Sequence, residues 1–453
     1  MGSTNTTPTV SSNKWSKPGD IVIDSIDLIS CAGFSVDIKL QMAAIVIYED
    51  IFANALSGYI NLIDTLNLSK HLPIIGNETI KIIFTTPGLD NQARKKISLS
   101  FKIFKVSSRQ KIGGSQNQTF ISLEFVSEEF FFNTGTKISK AYTGLSYSEM
   151  VSNIFSDYML SNNEIDAEST TENGSEKLLT FDTYGIKNFI IPNWSPLYAI
   201  NHLANLSSYM ANTQMCDYVF YQNLEGIYYF VPISFMKSLA PVASFKHIPA
   251  DHSTGKLMQN NARRISIVNF GDKMRDLSTG TFGSTLLTFD STYKKIEYDI
   301  FSYNNRFSDQ IHVSEFPILP RQNETMSEKI MAHRKFLPKH SYKYDGNPDN
   351  EGYLDFSLNR HSLMNQIGAL GLEVDAPGDS RRRAGDIVEI EIVSQEDTSK
   401  KSEWRDTYMS GKYLITRIAH HIGNNDYNMI MSLTKDSYDE PVPDKKDAKI
   451  SIA

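Results

Sequence analysis

The sequence predicts a mainly β protein with α+β insertions, in which two homologous antiparallel β-barrel domains are accompanied by two inserted domains. Three observations predict this. Apolar and polar residues alternate with a period of two over long stretches. The 25 Phe and 22 Tyr residues suit pleated, half-buried strands. One ordered set of strand patterns also occurs twice, and the 453 residues allow for this, since domains hold roughly 100–200 residues each.

Composition and charge exclude several function classes. The net charge is −7 and the charges are dispersed, so unspecific binding to a nucleic-acid backbone is not expected to be the main task. The triplet Arg381–Arg383 is the one dense basic spot, and we predict a solvated loop before a strand there. Cys31 and Cys216 lie far apart and form neither a disulfide framework nor a metal motif.

The two ends of the chain are polar. Residues 1–19 lack the apolar core of a signal peptide, and no run approaches the roughly 20 apolar residues of a membrane span. We therefore expect no stable membrane insertion and synthesis in a reducing cytoplasm. Residues 1–19 and 441–453 are both predicted to be flexible tails.

Residues 20–133 are predicted to form the first β-barrel domain. The runs ALSGYINLI, TIKIIF, ISLSFKIFKV and TFISLEFV alternate with a period of two, and clusters of Gly, Pro and Asn separate them. This pattern is typical of a meander of antiparallel strands with one buried face.

Residues 134–255 change to a helical period and predict an α+β insertion domain. Ser146 and Glu149 fit a capping box, and apolar residues follow at helical spacing. Ser195-Pro196 is a good start for a second helix. The runs DYVFYQ and IYYFVP then flank Asn223–Gly226, which indicates a hairpin.

The remainder repeats the first domain, interrupted by an insert. We pair SGYINLIDTLNL with FGSTLLTFDSTYKK, because Asp50 and Asp64 have the same spacing as Asp276 and Asp290. Three further pairs follow in the same order: IKIIF with IVEIEI, FKIFKVS with YLITRIA, and FISLEFVSEE with YNMIMSLTKDS. The second barrel is thus assigned to 256–300 and 378–440, with an insert at 301–377 that holds a possible helix capped at 325–328.

Two barrels in one chain have a consequence for symmetry. A meander removes its unpaired edges by closing into a barrel. Three such chains would place six quasi-equivalent barrels in a ring, and this pseudo-sixfold body could join a sixfold assembly to a threefold one.

At this point the residues resemble a known family. The segment LPIIGNETIKI after GYINLID resembles the baseplate hub protein of contractile-tailed bacteriophages of the T-even kind, as does GDIVEIEIV with SGKYLITRIAHHIGNNDYNMIMSLTKD. The segments PNWSPLYAINHLANLSS and CDYVFYQNLEGIYYFVPI look like the α+β insertion domain of that family. The resemblance covers about residues 20–440.

The resemblance implies two barrel-like tube domains with two inserted domains, in a homotrimer that ends the hexameric tail tube and seats the trimeric central spike. The implied partners are two further copies of the chain, tail tube or tube-initiator proteins, the spike and other baseplate proteins, with DNA only in transit. The implied location is the tail baseplate of a virion assembled in the host bacterial cytoplasm. The hub of a genome-free contractile injection system remains an open alternative.

A second alternative is a β-rich enzyme that degrades polysaccharide or peptidoglycan. The sequence has no G-x-S-x-G elbow, P-loop or H-E-x-x-H motif. Glu389 and Glu391 share one strand face and could lie at the carboxylate spacing of a glycosidase. Carboxylates that alternate with Val and Ile are more typical of the wet face of a strand. Such an acidic face could also line a channel and keep passing DNA from adhering.

The histidines do not assemble a metal site. His420 and His421 are adjacent in a predicted strand and should point to opposite faces, one inward and one to the surface. His333 and His340 could face the same way around a helix end, but no carboxylate or Cys completes a set. We therefore predict no catalytic, cofactor-binding or metal residues and no cofactor.

Overall fold

A computed structural model describes most of the chain. The described residues are 18–65, 68, 72, 74–86, 96–112, 118–160, 177–247, 260–291, 293–319, 333–339, 353–392, 405–424 and 426–442. The predicted helix capped at 325–328 and most of both predicted tails lie outside these ranges. Within these ranges the largest sheet has thirteen strands.

The first barrel is a run of antiparallel strands followed by a short helix. Its elements are β1 (Val22–Ile29), β2 (Ser35–Asp37), a 3-10 turn (Lys39–Gln41), β3 (Met42–Asp50), β4 (Ser57–Asp64), β5 (Thr79–Thr85), β6 (Lys96–Lys111), β7 (Thr119–Ser127) and α1 (Glu128–Gly135). The strand order is β3-β4-β7-β6-β5-β1. Every second side chain along the main strands points into a shared apolar core, as the period of two in the sequence predicts.

The two ends of this strand run are brought together by the segment between them. Ile38 precedes β3, and its N–H donates to the Ile26 carbonyl of β1 at 2.8 Å. Gly58 of β4 allows a close approach inside the barrel. A Cβ there would lie 2.1 Å from the Val46 carbonyl oxygen and 2.8 Å from the Phe125 ring.

The α+β insertion follows, as predicted. Its elements are β8 (Ile138–Leu145), α2 (Tyr147–Tyr158), β9 (Leu178–Thr180), β10 (Lys187–Trp194), α3 (Pro196–Asn205), β11 (Tyr218–Gln222), β12 (Tyr228–Pro232) and α4 (Ile233–Lys237). The capping box is present: Ser146 Oγ accepts from Glu149 N–H at 3.3 Å, and the Glu149 carboxylate accepts from Ser146 N–H at 2.7 Å. The hairpin turn falls at Asn223–Gly226, and both helices pack in one core with β11 and β12.

The remaining residues contain the second barrel and its insert. The elements are β13 (Ala243–Lys246), β14 (Arg264–Phe270), α5 (Lys273–Ser278), β15 (Gly283–Asp290), β16 (Lys295–Ser302), α6 (Tyr303–Arg306), a 3-10 turn (Phe307–Asp309), β17 (Phe316–Pro317), β18 (His333–Lys339), α7 (Tyr353–Gln366), β19 (Leu370–Pro377), β20 (Ile387–Glu391), β21 (Gly411–Ile422), β22 (Tyr427–Lys435) and β23 (Ser437–Tyr438).

The internal repeat is visible in the pairing of the strands. The second barrel has the order β14-β19-β22-β21-β20, all antiparallel, which reproduces β3-β4-β7-β6-β5 strand for strand. Three of the predicted sequence correspondences, β5 with β20, β6 with β21 and β7 with β22, occupy equivalent places. The sixth strand differs, because β13 runs parallel to β20 whereas β1 runs antiparallel to β5.

The remaining predicted correspondence, which paired SGYINLIDTLNL with FGSTLLTFDSTYKK, is wrong. The strand Gly283–Asp290 belongs to a separate sheet with β16 and β18. The counterpart of β4 is Leu370–Pro377, which our predicted limits placed in the insert. Strand pairing therefore places the interruption at about residues 271–369. Alternation identifies a strand but not its partner, so the equal spacing of the Asp residues misled the assignment.

No helix among the described residues is both long and apolar enough to cross a membrane.

Candidate assembly interface

The two barrels are joined inside the chain by one long, bent strand. The first part of β21 pairs with β20 of its own barrel, and Arg417–Ile422 then pairs antiparallel with Ile45–Asp50 of β3. The ladder between β21 and β22 shifts register at Thr416, between Ile415 and Arg417. Such a bulge bends a strand, which lets one strand serve two barrels.

Specific contacts fix this internal joint. Ile51, the first residue after β3, donates its N–H to the Thr416 carbonyl at 3.0 Å, and its side chain is fully buried. Arg417 lies 2.6 Å from the Asp50 carboxylate at the surface of the joint. Ile51 packs in an apolar cluster with Ile387 and Leu414 of the second barrel.

A buried polar network lies behind the same joint. His420 Nδ1 is 2.8 Å from the Tyr427 hydroxyl, and its Nε2 is 3.4 Å from the Glu49 carboxyl. Burial raises the pKa of Glu49 well above its ordinary value and lowers the pKa of His420 to about 3. The pair is therefore a neutral hydrogen bond, and not an ion pair. His420 points inward and His421 is partly exposed, as predicted.

The basic triplet belongs to this region and not to a solvated loop, so that prediction is wrong. Arg381 and Arg382 both contact the buried carboxylate of Asp379, and Arg383 is ion-paired with Glu225 in the hairpin of the insertion domain. Arg381 and Arg382 find their carboxylate within the loop itself, whereas Arg383 reaches Glu225 only because the loop before β20 packs against the hairpin between β11 and β12. That contact is tertiary and leaves no trace in the local sequence.

The equivalent strand of the first barrel has the same bend without a partner barrel. The ladder between β6 and β7 also shifts register, between Ile103 and Lys105, so Phe104 corresponds to Thr416 and Lys105 to Arg417. The first part of β6 pairs with β5. Beyond the bulge, β7 is the one strand that pairs with β6 within the described residues, and Phe104 and Val106 are exposed.

The strand that corresponds to β3 in the second barrel, β14, also has an unpaired edge among the described residues. β14 is the last strand of the large sheet, and β19 is its one strand neighbour within the described ranges. Ile267, Val268 and Phe270 are exposed apolar residues on β14, and the Val268 side chain is 69% exposed. An exposed apolar edge strand is a ready template for pairing with another chain.

The described part of the chain therefore has two unpaired strand edges that correspond to the two strands already paired between its barrels. β21 pairs with β3 within the chain, whereas their counterparts β6 and β14 each present an open edge. Sequence reasoning found the repeat but missed these edges. The adjacent apolar residues Ile103 and Phe104, which break the alternation, were the signal for the bulge.

The residues considered for catalysis or metal binding are placed as follows. Glu389 lies 3.7 Å from Arg405, and Glu391 lies 2.6 Å from Lys246, so each carboxylate has a cationic partner. His333 begins strand β18 and does not flank a helix end, while His340 falls outside the described residues. No group of three or more potential metal ligands occurs in the part of the chain that the structure describes.

Comparison with solved structures identifies the fold. The tail protein from Neisseria meningitidis MC58 superimposes with a TM-score of 0.53 at 12% identity, covering 92% of this chain and 99% of that one. The chain has the fold of a phage tail protein. The 43 kDa tail protein of prophage MuSo2 from Shewanella oneidensis also matches, with a TM-score of 0.50 at 9% identity over 91% of this chain and 98% of that one.

The tail-protein fold confirms the resemblance on which the sequence analysis relied, together with the mainly β class with inserted domains. No family model and no curated protein matches the sequence.

Proposed function

We propose that this protein is the structural hub of a tail baseplate, and that three copies form a ring between the hexameric tail tube and the trimeric spike. The observation that carries the proposal is the pair of open edges. β6 and β14 are the counterparts of β21 and β3, which already join the two barrels of one chain. Joining β6 of one copy to β14 of the next would repeat the internal joint between molecules.

A joint of this kind is heterologous, because two different surfaces meet. Heterologous contacts form closed rings when the rotation closes and open filaments when it does not. If the joints within and between chains are alike, three chains give six barrels related by nearly equal steps. That number matches the six subunits of a tail tube, as the resemblance to phage hubs implies.

Other surfaces suit further partners of such a ring. In the small sheet β16-β15-β18, Ile296, Tyr298, Ile300 and Phe336 are all exposed, and strand pairing sets them on one face. A contiguous exposed apolar face is typical of a protein-binding surface. We propose that it binds the spike or another baseplate protein, while the ring binds the tube or its initiator.

The ring would act mechanically and not by catalysis. We propose that DNA passes through its centre in transit, and that the overall negative charge of −7 keeps it from adhering. The protein would then be found in the tail baseplate of the virion, after assembly in the host cytoplasm. The two tail proteins of similar fold support this placement.

Light scattering on the purified protein tests the ring directly. We expect a species of three times the 51.2 kDa chain mass. Val268→Glu places a charge on the β14 edge and should convert the trimer to monomers. Ile190→Glu is the matched control, since Ile190 is a strand residue 71% exposed in the insertion domain, and it should leave the trimer intact.

Two results would contradict the proposal. If the wild-type chain stays monomeric at high concentration, the proposed ring is contradicted. If the Val268→Glu trimer is as stable as the wild-type trimer, the proposed joint between β6 and β14 is contradicted. Release of sugar from a peptidoglycan or glycan panel by the same preparation would favour the enzyme alternative.

A further inference from the structure

An apolar recess opens beside the bulge of β6. It has a volume of about 730 Å³ and lies between the bulge, the start of β4, the end of β7, helix α1 and the turn after β3. Its walls carry four Phe side chains together with small residues. The aromatic ones are Phe104, Phe130, Phe131 and Phe132. Phe104 is the bulge residue of β6, so the recess adjoins the edge where the next copy would pair.

The internal joint shows what lies beside this bulge when a partner barrel is present. There the bulge residue is Thr416, and its carbonyl receives the N–H of Ile51, the first residue after β3. The Ile51 side chain is fully buried in the cluster between the barrels. The segment that leaves the joined strand thus supplies an apolar side chain to the joint.

The segment that corresponds to the one containing Ile51 follows β14, and it carries an exposed apolar side chain. β14 ends at Phe270, the chain turns at Gly271 and Asp272, and α5 begins at Lys273. Met274 lies in the first turn of α5 and is 84% exposed. A thioether side chain is unbranched and polarisable, so it suits an irregular recess lined with aromatic rings.

We propose that Met274 of one copy inserts into the Phe-lined recess of the next copy in the ring. This rests on the proposed ring and names the contact that locks it. The occupant is a second copy of this chain because the recess is continuous with the β6 edge and because the internal joint seats the counterpart segment beside the equivalent bulge. Insertion would cover an exposed Met and an exposed Phe surface together.

Disulfide trapping tests the contact. In a Cys31→Ser background, Met274→Cys is combined with Thr134→Cys, which lies in the lining of the recess. Oxidation should give covalent dimers and trimers on a denaturing gel. The matched control combines Thr134→Cys with Ile190→Cys, since Ile190 is exposed on the two-stranded sheet of the insertion domain, and it should stay monomeric on the gel.

A charge substitution gives a second readout. Met274→Asp should weaken trimer formation at least tenfold, whereas Met210→Asp should not, because Met210 is exposed in the insertion domain. A Met274→Asp variant that assembles like wild type, or a trimer that is not trapped by the Met274→Cys pair, overturns the contact and leaves the ring standing. A wild-type protein that remains monomeric instead contradicts the proposed function itself.

Discussion

Replacing Asp436 with Asn tests how the parts of this chain are held together. Asp436 follows β22, and its carboxylate lies 2.8 Å from Lys237 of the insertion domain and 3.1 Å from His312 Nδ1. It also accepts the N–H of Val313 at 3.1 Å. The side chains of Asp436, Lys237 and His312 are each 4% exposed or less. The substitution therefore leaves the buried ammonium of Lys237 without the carboxylate of Asp436.

The expected cost follows from that burial. Removing one partner of a buried ion pair typically costs about 3–5 kcal/mol, because the other charge stays desolvated. The surface pair Lys140–Asp157 has nearly the same separation, 2.9 Å, but its side chains are 40% and 47% exposed. Breaking an exposed pair costs about 0–1 kcal/mol, which makes Asp157→Asn a matched control.

Urea denaturation followed by circular dichroism and by tryptophan fluorescence measures both variants. Because a chain with several domains need not unfold in one step, the transition with the largest change of midpoint is compared. We expect a clear loss for Asp436→Asn and almost none for Asp157→Asn. Equal shifts in the two variants would refute the reasoning.

Acid supplies a second test of the same cluster. Burial alone raises the pKa of the Asp436 carboxyl, but Lys237 and His312 outweigh it and hold that pKa well below its usual value. The stabilisation is therefore present above the unfolded-state pKa of about 4 and is lost as the pH falls below it. The gap in stability between wild type and Asp436→Asn should narrow below about pH 4.

Two further predictions concern the first barrel and the internal joint. Gly58→Ala should destabilise the protein by about 1–3 kcal/mol, because its Cβ would meet the Val46 carbonyl and the Phe125 ring. In the control Gly135→Ala the new Cβ meets nothing within 4 Å, so the free energy of unfolding should change by less than about 1 kcal/mol. Equal effects of the two substitutions in chemical denaturation would contradict this. Since the pKa of His420 is lowered to about 3, its ring resonances in NMR should not titrate between pH 8 and 5. A titration near pH 6.5 would show that His420 is not buried as described.

Local patterns sufficed wherever one segment decides its own structure. The capping box of Ser146 and Glu149 was predictable because a side chain three residues away satisfies the helix end. The inward and outward faces of His420 and His421 were predictable because strand side chains alternate. The correspondence of β5, β6 and β7 with β20, β21 and β22 was predictable from their apolar periods and their order along the chain.

Contacts between residues far apart along the chain could not be predicted from the sequence. The strand Gly283–Asp290 looks like a counterpart of β4 but pairs with β16 and β18, and Leu370–Pro377 takes its place. Arg383 of the basic triplet looks solvated but is ion-paired with Glu225 of the insertion domain. The deciding partners are β14 and β22 for Leu370–Pro377 and Glu225 for Arg383. They lie far away along the chain, and a local pattern carries no information about them.

The sequence by itself determined the strands β4 to β7 of the first barrel, the helices α2 and α3 of the insertion domain and the fact that one β module occurs twice, because period and capping act over a few residues. Only the tertiary structure decided which strands are neighbours, and hence that β21 meets β3 while the edges of β6 and β14 stay open. The physical reason is that a backbone hydrogen-bond ladder is the same for every pair of strands. Which strands pair is chosen by how the whole chain buries its apolar faces.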